Sequence, residues 1–562
     1  MVSGKDISQM GKYYAIGGTL KMIVGDIKRI DLGISSFERM ITEGNLYVDK
    51  TRMIESFLNY TSSVQLITRQ RRLGKSLNMD MLRCFLTDKE DLRHLFKGLY
   101  IETSSVWDKA NSAPVFYFDF KGLRLDNYKQ SIYFSVCELI DNNCSDVKLS
   151  RAVKHYLDNN DFNSTDGLYY LTESIFKATG KRSYILIDEY DKLLMEAYNI
   201  EQYEEVRSYI AAFLSSGLKG NHNLEKALLT GVMRISHESI LSGLNNIVTF
   251  DVFGDDIYTD DYGLTDSEIE AISNLTEIDI SRLSQWYNGI RIYGHAIYNI
   301  FSVMSFLARN RYECYWGKSG TMDIIANLLN NDRKAVLAEL LTGEHVDVAI
   351  ETRISLKDLS SGTNDQAFYS LLVQAGYLAL EEAVPTGSVS TQVSIPNAEL
   401  MIVWKQFILN VLNINIPKIR TLFDNSLNLE LFSSDVEYFL SDRLSYHDLG
   451  GYKGKNARRV HERIYHVFIL GILSAYDDAL CKRPLSNRES GDGRFDILVE
   501  RPDTSYIFEF KASKASCGLD KDALDALAQI DTKRYGEDLN SEKPLVKVGI
   551  ALFGKTCKVR CR

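Results

Sequence analysis

Proline is scarce, at 7 of 562 residues, in a composition that is otherwise ordinary for a globular protein, with 45% hydrophobic and 25% charged residues. No run of eighteen apolar residues occurs, so no segment is expected to span a membrane. The first eighteen residues, MVSGKDISQMGKYYAIGG, lack both a continuous apolar stretch and a cleavage site, and do not read as a signal peptide. The eight cysteines, at positions 84, 137, 144, 314, 481, 517, 557 and 561, form no CxxC pair. That scatter suits a reducing, cytoplasmic setting and argues against a zinc site or a disulfide framework. An excess of basic charge is also missing: the net charge of −10 disfavours non-specific nucleic-acid binding by the whole surface, while leaving room for a local basic site. The length exceeds what one hydrophobic core organises, and about three or four domains are expected.

What the chain does contain is a strand-turn-helix signal at Leu66 to Met81, LITRQRRLGKSLNMDM. A short apolar run (Val64, Leu66, Ile67) ends in a turn carrying Gly74, Lys75 and Ser76, and a helical pattern follows. This is the layout of a phosphate-binding loop. Backbone N–H groups and the helix dipole hold phosphates, the lysine reaches the β- and γ-phosphates, and the hydroxyl takes Mg²⁺. The first glycine of GxxxxGK[ST] falls at Arg69, so the motif is incomplete, and a chance GKS at a helix start is the competing reading.

A second stretch, Arg182 to Leu194, tips the balance. Its apolar strand (Tyr184, Ile185, Leu186, Ile187) ends in Asp188 and Glu189. An Asp at the tip of a buried strand holds Mg²⁺ opposite the loop hydroxyl, and a Glu directly after it polarises the attacking water. The bland alternative is a strand end followed by an acidic helix start. Between the two lies a further strand, Val115 to Phe120, and after them come a helix pattern, Tyr203 to Leu218, and a strand, Lys226 to Met233. That order is the one expected of P-loop NTPases with an additional strand and a catalytic Glu. Arg234 would then sense the γ-phosphate from the tip spanning Thr230 to Arg234, with a surface salt bridge as the alternative. Upstream, the segment from Gly33 reads as two short helices around an extended Tyr47-Val48-Asp49-Lys50. Tyr47 and Asp49 are candidates to contact adenine, although solvent-facing turn residues are the commoner outcome.

Taken together, Tyr47-Val-Asp-Lys-Thr51, Thr68 to Ser76, Ile187-Asp-Glu-Tyr-Asp191, Leu229 to Ser236, Gly243-Leu-Asn-Asn246, Tyr262-Gly-Leu-Thr265 and Gln285-Trp-Tyr-Asn-Gly289 resemble the bacterial AAA-ATPase-like family over about residues 30 to 300. Its loop typically reads TRPRRFGKS, so the Arg at the first Gly position is a trait of that family. Gln70 stands where Pro is usual and Leu73 where Phe is usual, changes that alter loop stiffness but remove no phosphate ligand. The resemblance implies that Arg71, Arg72, Leu73, Gly74, Lys75, Ser76 and Leu77, with Asp188 and Arg234, bind ATP, that Ser76 and Asp188 hold Mg²⁺, and that Glu189 is catalytic.

Residues 261–400 read as mainly helical, with helices at Ser267 to Leu275, Ile280 to Tyr287 and around Asn299 to Leu307. A helix-strand-turn-strand pattern ends near Val389 to Ile395, as in a winged-helix-like lid. Lysine and arginine are not clustered there, which favours a protein contact over DNA binding. Residues 1–30 carry little pattern and are expected as an N-terminal extension, 31–260 as the P-loop domain, and 401–435 as a helical connector.

A second chemical signal occupies residues 436–562. Arg458 to Tyr476 reads as a helix with Glu462 and His466 on one face, Gly493 to Val499 as a strand, and Ser505 to Ala512 as the next. On a strand, Glu509 and Lys511 point to the same side. Asp496 and Glu509 are hard oxygen ligands suited to Mg²⁺ or Mn²⁺, and Lys511 can neutralise charge on a phosphate. A lone E-x-K is more often a surface salt bridge. Here a helix from Asp522 to Tyr535 follows, with Asp525, Gln529 and Lys533 on one stripe, and a last strand spans Val546 to Phe553. This order resembles the PD-(D/E)XK nuclease superfamily, as found fused after AAA-ATPase-like modules. Glu462, Asp496, Glu509, Lys511 and Gln529 fall on its catalytic motif positions, with Asp496 and Glu509 as metal ligands. Phe495 in GRFD replaces the usual Ser or Thr. Lys455, Arg458, Arg459, Arg463, Lys482, Arg483 and Arg488 could meet phosphates near this patch.

The fold class expected is thus α/β multidomain: a P-loop NTPase, a helical middle and a restriction-endonuclease-like C-terminal domain. The resemblance implies an ATP-regulated nuclease acting on nucleic acid, DNA foremost, in defence against mobile elements or DNA maintenance, and it allows a homo-oligomer. A signalling or scaffold ATPase whose nuclease fold only binds nucleic acid is the alternative; a helical scaffold with neither activity conflicts with the intact motifs.

Overall fold

A computed structural model describes residues 23–24, 29–144, 148–198, 200–234, 246–254, 257–276, 278–316, 321–341, 343, 345–354, 358–359, 363–384, 388–411, 482–486, 489–490, 493–494, 496–500, 504–536, 543–554 and 556–562. The helix expected at Arg458 to Tyr476, and with it Glu462, lies outside these residues, as do Lys455, Arg458, Arg459, Arg463 and Arg488 and most of the expected connector. The chain divides into two compact units, Met1–Trp316 with Asp347–Glu399, and Gly317–Val346 with Leu400–Arg562.

The first unit is built on a five-stranded sheet of β1 (Val64–Thr68), β2 (Val115–Asp119), β3 (Ser183–Asp188), β4 (Leu224–Gly231) and β5 (Ile247–Phe250). Their order in the sheet is β2-β3-β4-β1-β5, with every pairing parallel. Parallel strands require crossovers and are covered on both faces. Accordingly β1 and β3 are buried at every position, which explains their near-continuous apolar runs. Because β4 lies between β1 and β3, the loop after β1 and the acidic tip of β3 flank the end of β4. The additional-strand arrangement expected from the sequence is therefore present.

The segment before β1 corrects one expectation. Tyr47 and Asp49 do not face solvent: they are 3% and 9% exposed. Tyr47 and Val48 pair antiparallel with Ile23 and Val24, so part of the N-terminal extension is an integral strand. Asp49 accepts hydrogen bonds from the Thr51 N–H and hydroxyl and from the Tyr100 N–H, at 2.7–2.8 Å. With its lone pairs so engaged, it serves the fold rather than an adenine ring. Lys50 is buried too, and its ammonium meets both carboxylate oxygens of buried Glu268 at 2.8 Å and the Asp260 carbonyl at 2.6 Å.

After β5, helices run over Asp266–Thr276, Ile280–Tyr287 and Ile300–Arg309. A short antiparallel hairpin, Ile290–Ile292 with His295–Ile297, occupies what the sequence suggested to be only a glycine-bearing turn. Further on, a helix at Asp365–Gln374 precedes strands Ala379–Leu380 and Ser388–Ser394, the helix-strand-turn-strand order expected. A strand at Val346–Glu351 that the pattern did not reveal completes that small sheet. No described helix is long and apolar enough to cross a membrane.

The second unit contains a mixed five-stranded sheet, β6 (Lys482–Ser486), β7 (Ile497–Glu500), β8 (Ser505–Ala512), β9 (Leu545–Phe553) and β10 (Thr556–Cys561), in that order. Only β8 and β9 run parallel, and the crossover between them is helix α2 (Leu519–Thr532). Leu498, Ile507, Leu527, Ile530 and Tyr535 form the core beneath it.

Removing one member of a buried ion pair strands the other charge at a cost of about 3–5 kcal/mol. Glu268→Ala should therefore lower unfolding free energy by roughly that amount in a denaturant titration, while Lys50→Met with Glu268→Met together should cost much less.

Candidate functional site

The turn after β1 is shaped by its backbone. Gly74 has φ 91°, the left-handed conformation that glycine adopts freely, and it opens helix α1 (Lys75–Leu86). No side chain caps that helix, so its first N–H groups remain available to an anion. Lys75 is 8% exposed, and its ammonium donates to the carbonyls of Arg69 and Gln70 at 2.8 Å each. Burial pulls its pKa down to about 8, against the upward pull of Asp188, Asp191 and Glu189. Leu73 is buried, Ser76 and Leu77 are half-buried, and Arg71 and Arg72 are exposed. Arg72 sits at φ 66°, its guanidinium 4.2 Å from the Phe301 ring centroid and donating to the Tyr315 carbonyl.

Arg69, where a glycine is usual, is fully buried. Its guanidinium donates to the carbonyls of Thr68 and Phe250, at 2.9 and 3.1 Å, and lies over the Tyr262 ring. It joins the ends of β1 and β5, a task that glycine could not perform. The Gly263 N–H donates to the Leu73 carbonyl, so the Tyr262-Gly-Leu-Thr265 motif braces the loop from behind.

Asp188 is the meeting point. Its Oδ2 accepts the Ser76 hydroxyl at 2.5 Å and the Tyr117 hydroxyl at 3.2 Å; its Oδ1 accepts the Thr230 hydroxyl and the Glu189 N–H. Glu189 follows at φ 53°, a strained conformation for a non-glycine residue of a kind that clusters at functional sites. Burial raises its carboxyl pKa, Asp188 adds to the rise, and Lys75 and Lys121 oppose it. A half-buried carboxylate of raised pKa beside a hydroxyl-carboxylate pair is equipped to take a proton. Ser76 and Asp188 supply hard oxygen donors, a set that fits Mg²⁺. Arg234 donates to Asp251 at 2.9 Å, and its own N–H is held by the Gln374 side chain.

Three residues here escaped the sequence reading. Tyr117 projects from a strand that is apolar up to its last residue, and its hydroxyl is the single sign of its partnership with Asp188. Asp191, in the motif Asp188-Glu-Tyr-Asp191, is buried and accepts the Val232 and Met233 N–H groups at 2.9 and 2.8 Å, fixing the turn out of β4. Asp261 is buried beside α1: its carbonyl receives the Asn78 amide, while its carboxyl Oδ2 has no hydrogen-bond partner. Burial raises its pKa to about 7 despite nearby Lys50.

In the second unit, Asp496, Glu509, Lys511 and Gln529 converge. Glu509 on β8 is 4% exposed, and the Gln529 side chain on α2 donates to its Oε1. Its Oε2 lies 3.4 Å from the Asp496 N–H, and Asp496 Oδ2 accepts the Phe510 N–H at 2.7 Å. Burial first, then the Asp496 charge, raises the Glu509 pKa, and Lys511 lowers it. Two carboxylates held together with an ammonium beside them form a donor set suited to a hard divalent cation. Gln529 thus acts on Glu509, fixing its orientation.

Comparison with known proteins divides the chain in the same way. Residues 31–241 match the model of the family described as predicted AAA-ATPase, and residues 460–561 that of the PD-(D/E)XK nuclease superfamily. The chain is 25% identical over 555 residues, 93% of its own length and 96% of the relative's, to an uncharacterized protein in the vnfD 5′ region of Azotobacter chroococcum mcd 1. The Walker-type ATPase of Pyrococcus abyssi superposes at a TM-score of 0.32 with 14% identity, covering 63% of this chain and 94% of that one.

For Asp261 the linkage has a definite sign. A carboxyl whose folded pKa lies above its unfolded value binds more protons folded than unfolded, so stability falls as pH rises from about 4 to about 7. Asp261→Asn should remove this dependence and raise stability at pH 8 by on the order of 4 kcal/mol, with no gain at pH 4. Thermal unfolding at the two pH values checks this.

Proposed function

We propose that the chain binds and hydrolyses ATP in its first unit and cuts nucleic-acid phosphodiester bonds in its second, with a divalent metal at each site. The observation that carries the first half is the Ser76–Asp188 hydrogen bond at the mouth of an uncapped helix whose second residue pairs with the acidic strand. Lys75 would exchange its two carbonyl partners for the β- and γ-phosphates. Asp188 would hold the Ser76 hydroxyl in place for Mg²⁺, with Tyr117 and Thr230 fixing that carboxylate in turn. Mg²⁺ would supply the positive charge that hydrolysis of the γ-phosphate needs. Glu189 would take a proton from the attacking water, and Arg234 would respond to the γ-phosphate from the loop after β4.

For the second half, Asp496 and Glu509 would hold Mg²⁺ or Mn²⁺, which contributes Lewis acidity at the scissile phosphate. Lys511 would neutralise charge developing on that phosphate, and Gln529 would keep Glu509 turned toward the metal. Glu462 is assigned to the same site on its motif position. DNA in the cytoplasm is the substrate in this reading, and defence against mobile elements or DNA maintenance the setting. In this reading five segments, 1–30, 31–260, 261–400, 401–435 and 436–562, keep the two chemistries in separate parts of the chain, with self-association allowed.

Lys75→Ala should weaken ATP binding by at least about tenfold in calorimetry, the loss expected for a charged hydrogen-bond donor. Glu189→Gln should bind ATP as wild type does and hydrolyse it about 10²–10⁴-fold more slowly. Wild-type protein without ATP affinity would defeat the first half.

Plasmid and single-stranded substrates should be cut in the presence of Mg²⁺ or Mn²⁺, followed by gel with ATP, with ADP and without nucleotide. Lys511→Ala should slow cleavage about a hundredfold or more, with an unchanged melting temperature because the side chain is half-exposed. Asp496→Asn keeps an acceptor for the Phe510 N–H while losing the anionic ligand, and should abolish cleavage while ATP hydrolysis persists. Equal cleavage by both variants and wild type would identify a contaminant.

A further inference from the structure

The chain leaves its first unit twice, after Trp316 and after Glu399. Those two exits are fastened to each other. Glu399 is 0% exposed, and its Oε1 accepts the N–H groups of Tyr315 and Trp316 at 2.6 and 2.7 Å, while the Ser302 hydroxyl donates to the same carboxylate at 2.8 Å. A buried carboxylate with three protein donors is a firm joint, since each donor would be left unsatisfied in a low-dielectric interior if it moved alone.

The joint is connected to the phosphate loop residue by residue. Arg72 donates to the Tyr315 carbonyl and lies on the Phe301 ring, and its charge opposes the burial that raises the Glu399 pKa. Asn299, whose Oδ1 accepts the Ser302 N–H, directs its Nδ2 to the Arg71 carbonyl at 3.4 Å. Gln70, at the position where proline is usual, crowds Gly376 from one side and Trp316 does so from another. A Cβ on Gly376, which has φ 83°, would lie 2.5 Å from Gln70 Cγ and 3.0 Å from Trp316 Cη2. The Gln70 Oε1 is buried without a partner, so this contact is a packing one that a change in loop conformation can alter.

We propose that the Glu399 joint is a relay through which nucleotide at the phosphate loop governs the two points where the chain passes into the C-terminal unit. This rests on the ATP reading above. Lys75 holds the Arg69 and Gln70 carbonyls and must release them to reach phosphate, which frees the loop whose next residues, Arg71 and Arg72, meet Asn299 and Tyr315. Because packed interiors switch between discrete arrangements rather than deforming continuously, a loop shift is passed on as a repositioning of Tyr315 and Trp316 with Glu399.

The test compares wild type with Glu399→Gln and Ser302→Ala, with and without a non-hydrolysable ATP analogue and Mg²⁺. Hydrogen exchange at residues 300–316 and 398–411 is the primary readout, analogue affinity the control, and cleavage the secondary readout. In wild type the analogue should slow exchange in both segments, and nucleotide should change the cleavage rate about fivefold or more, the lower range of allosteric coupling. Both variants should bind the analogue within about threefold of wild type yet show nucleotide effects below about twofold. A merely structural Glu399 would lower stability equally with and without nucleotide and leave the difference intact. The relay is overturned if wild type binds the analogue with unchanged exchange at 315–316, or if both variants keep the full response. Ser302→Ala removes one hydroxyl only and carries the test should Glu399→Gln fail to fold. Absence of analogue binding by wild type sinks the ATP reading together with the relay, whereas an exchange response without any cleavage sinks the nuclease assignment alone.

Discussion

The four hydrogen bonds that converge on Asp188 are the constraint on which the first unit is organised. Their donors come from α1, β2, β4 and the residue after β3, so one carboxylate ties together the helix that follows the phosphate loop and three of the five strands. The sheet order makes this possible: only with β4 between β1 and β3 do the Ser76 helix and the Thr230 strand both reach the tip of β3. A buried carboxylate in need of donors thereby fixes the register of strand ends to within hydrogen-bonding distance, and the same convergence leaves the hydroxyl and carboxylate of a metal site side by side.

Behind that tip, the loop is held from its other face by a second set of buried polar contacts. Lys50 and Glu268 bring the segment before β1 against the first helix after β5, Asn78 anchors α1 to Asp261, and Gly263 binds the Leu73 carbonyl. These contacts account for motifs that carry no chemistry of their own. Tyr47-Val-Asp-Lys-Thr51 and Tyr262-Gly-Leu-Thr265 are far apart in sequence, and together they clamp α1 and its preceding turn. Buried ion pairs contribute little net stability against an apolar alternative but exclude other packings. That is the service a loop held by few contacts of its own requires.

Much of this was legible in the sequence because period and punctuation agree. Ser505 to Ala512 and Tyr203 to Leu218 have the bounds their patterns suggest, and β3 reads as an apolar run ending in two acids because a central parallel strand is buried on both faces. The order of strands around Lys75, and the gathering of Asp496, Glu509 and Lys511 on neighbouring strands, followed from pattern and chain order, and Gln529 joined them through the resemblance to the PD-(D/E)XK order. What was not legible has a common cause: a polar residue in a tight interior looks the same in sequence as one at the surface. Tyr47 and Asp49 resembled turn residues, Arg69 a missing glycine, Tyr117 one more aromatic of a strand, and Asp191 only the last residue of the Ile187 to Asp191 motif. Each is identified by a partner distant in sequence, between 34 and 181 residues away.

The two candidate sites handle buried carboxylates in opposite ways. Asp188 accepts four donors, so its charge is already balanced by dipoles before any cation arrives. Glu509 is supplied by Gln529 and the Asp496 N–H but faces a second carboxylate, and its pKa rises accordingly. A pair of acids that repel each other holds a proton or a cation, and Lys511 alone offsets only part of the repulsion. On the reading offered above, the first site is preorganised by protein groups and uses its metal to meet phosphate, whereas the second is completed by the metal itself. The division fits a molecule in which nucleotide binding acts on a rigid sheet tip and its consequences travel through Arg72, Tyr315 and Glu399, elements that lie outside that tip and can therefore move without dismantling it.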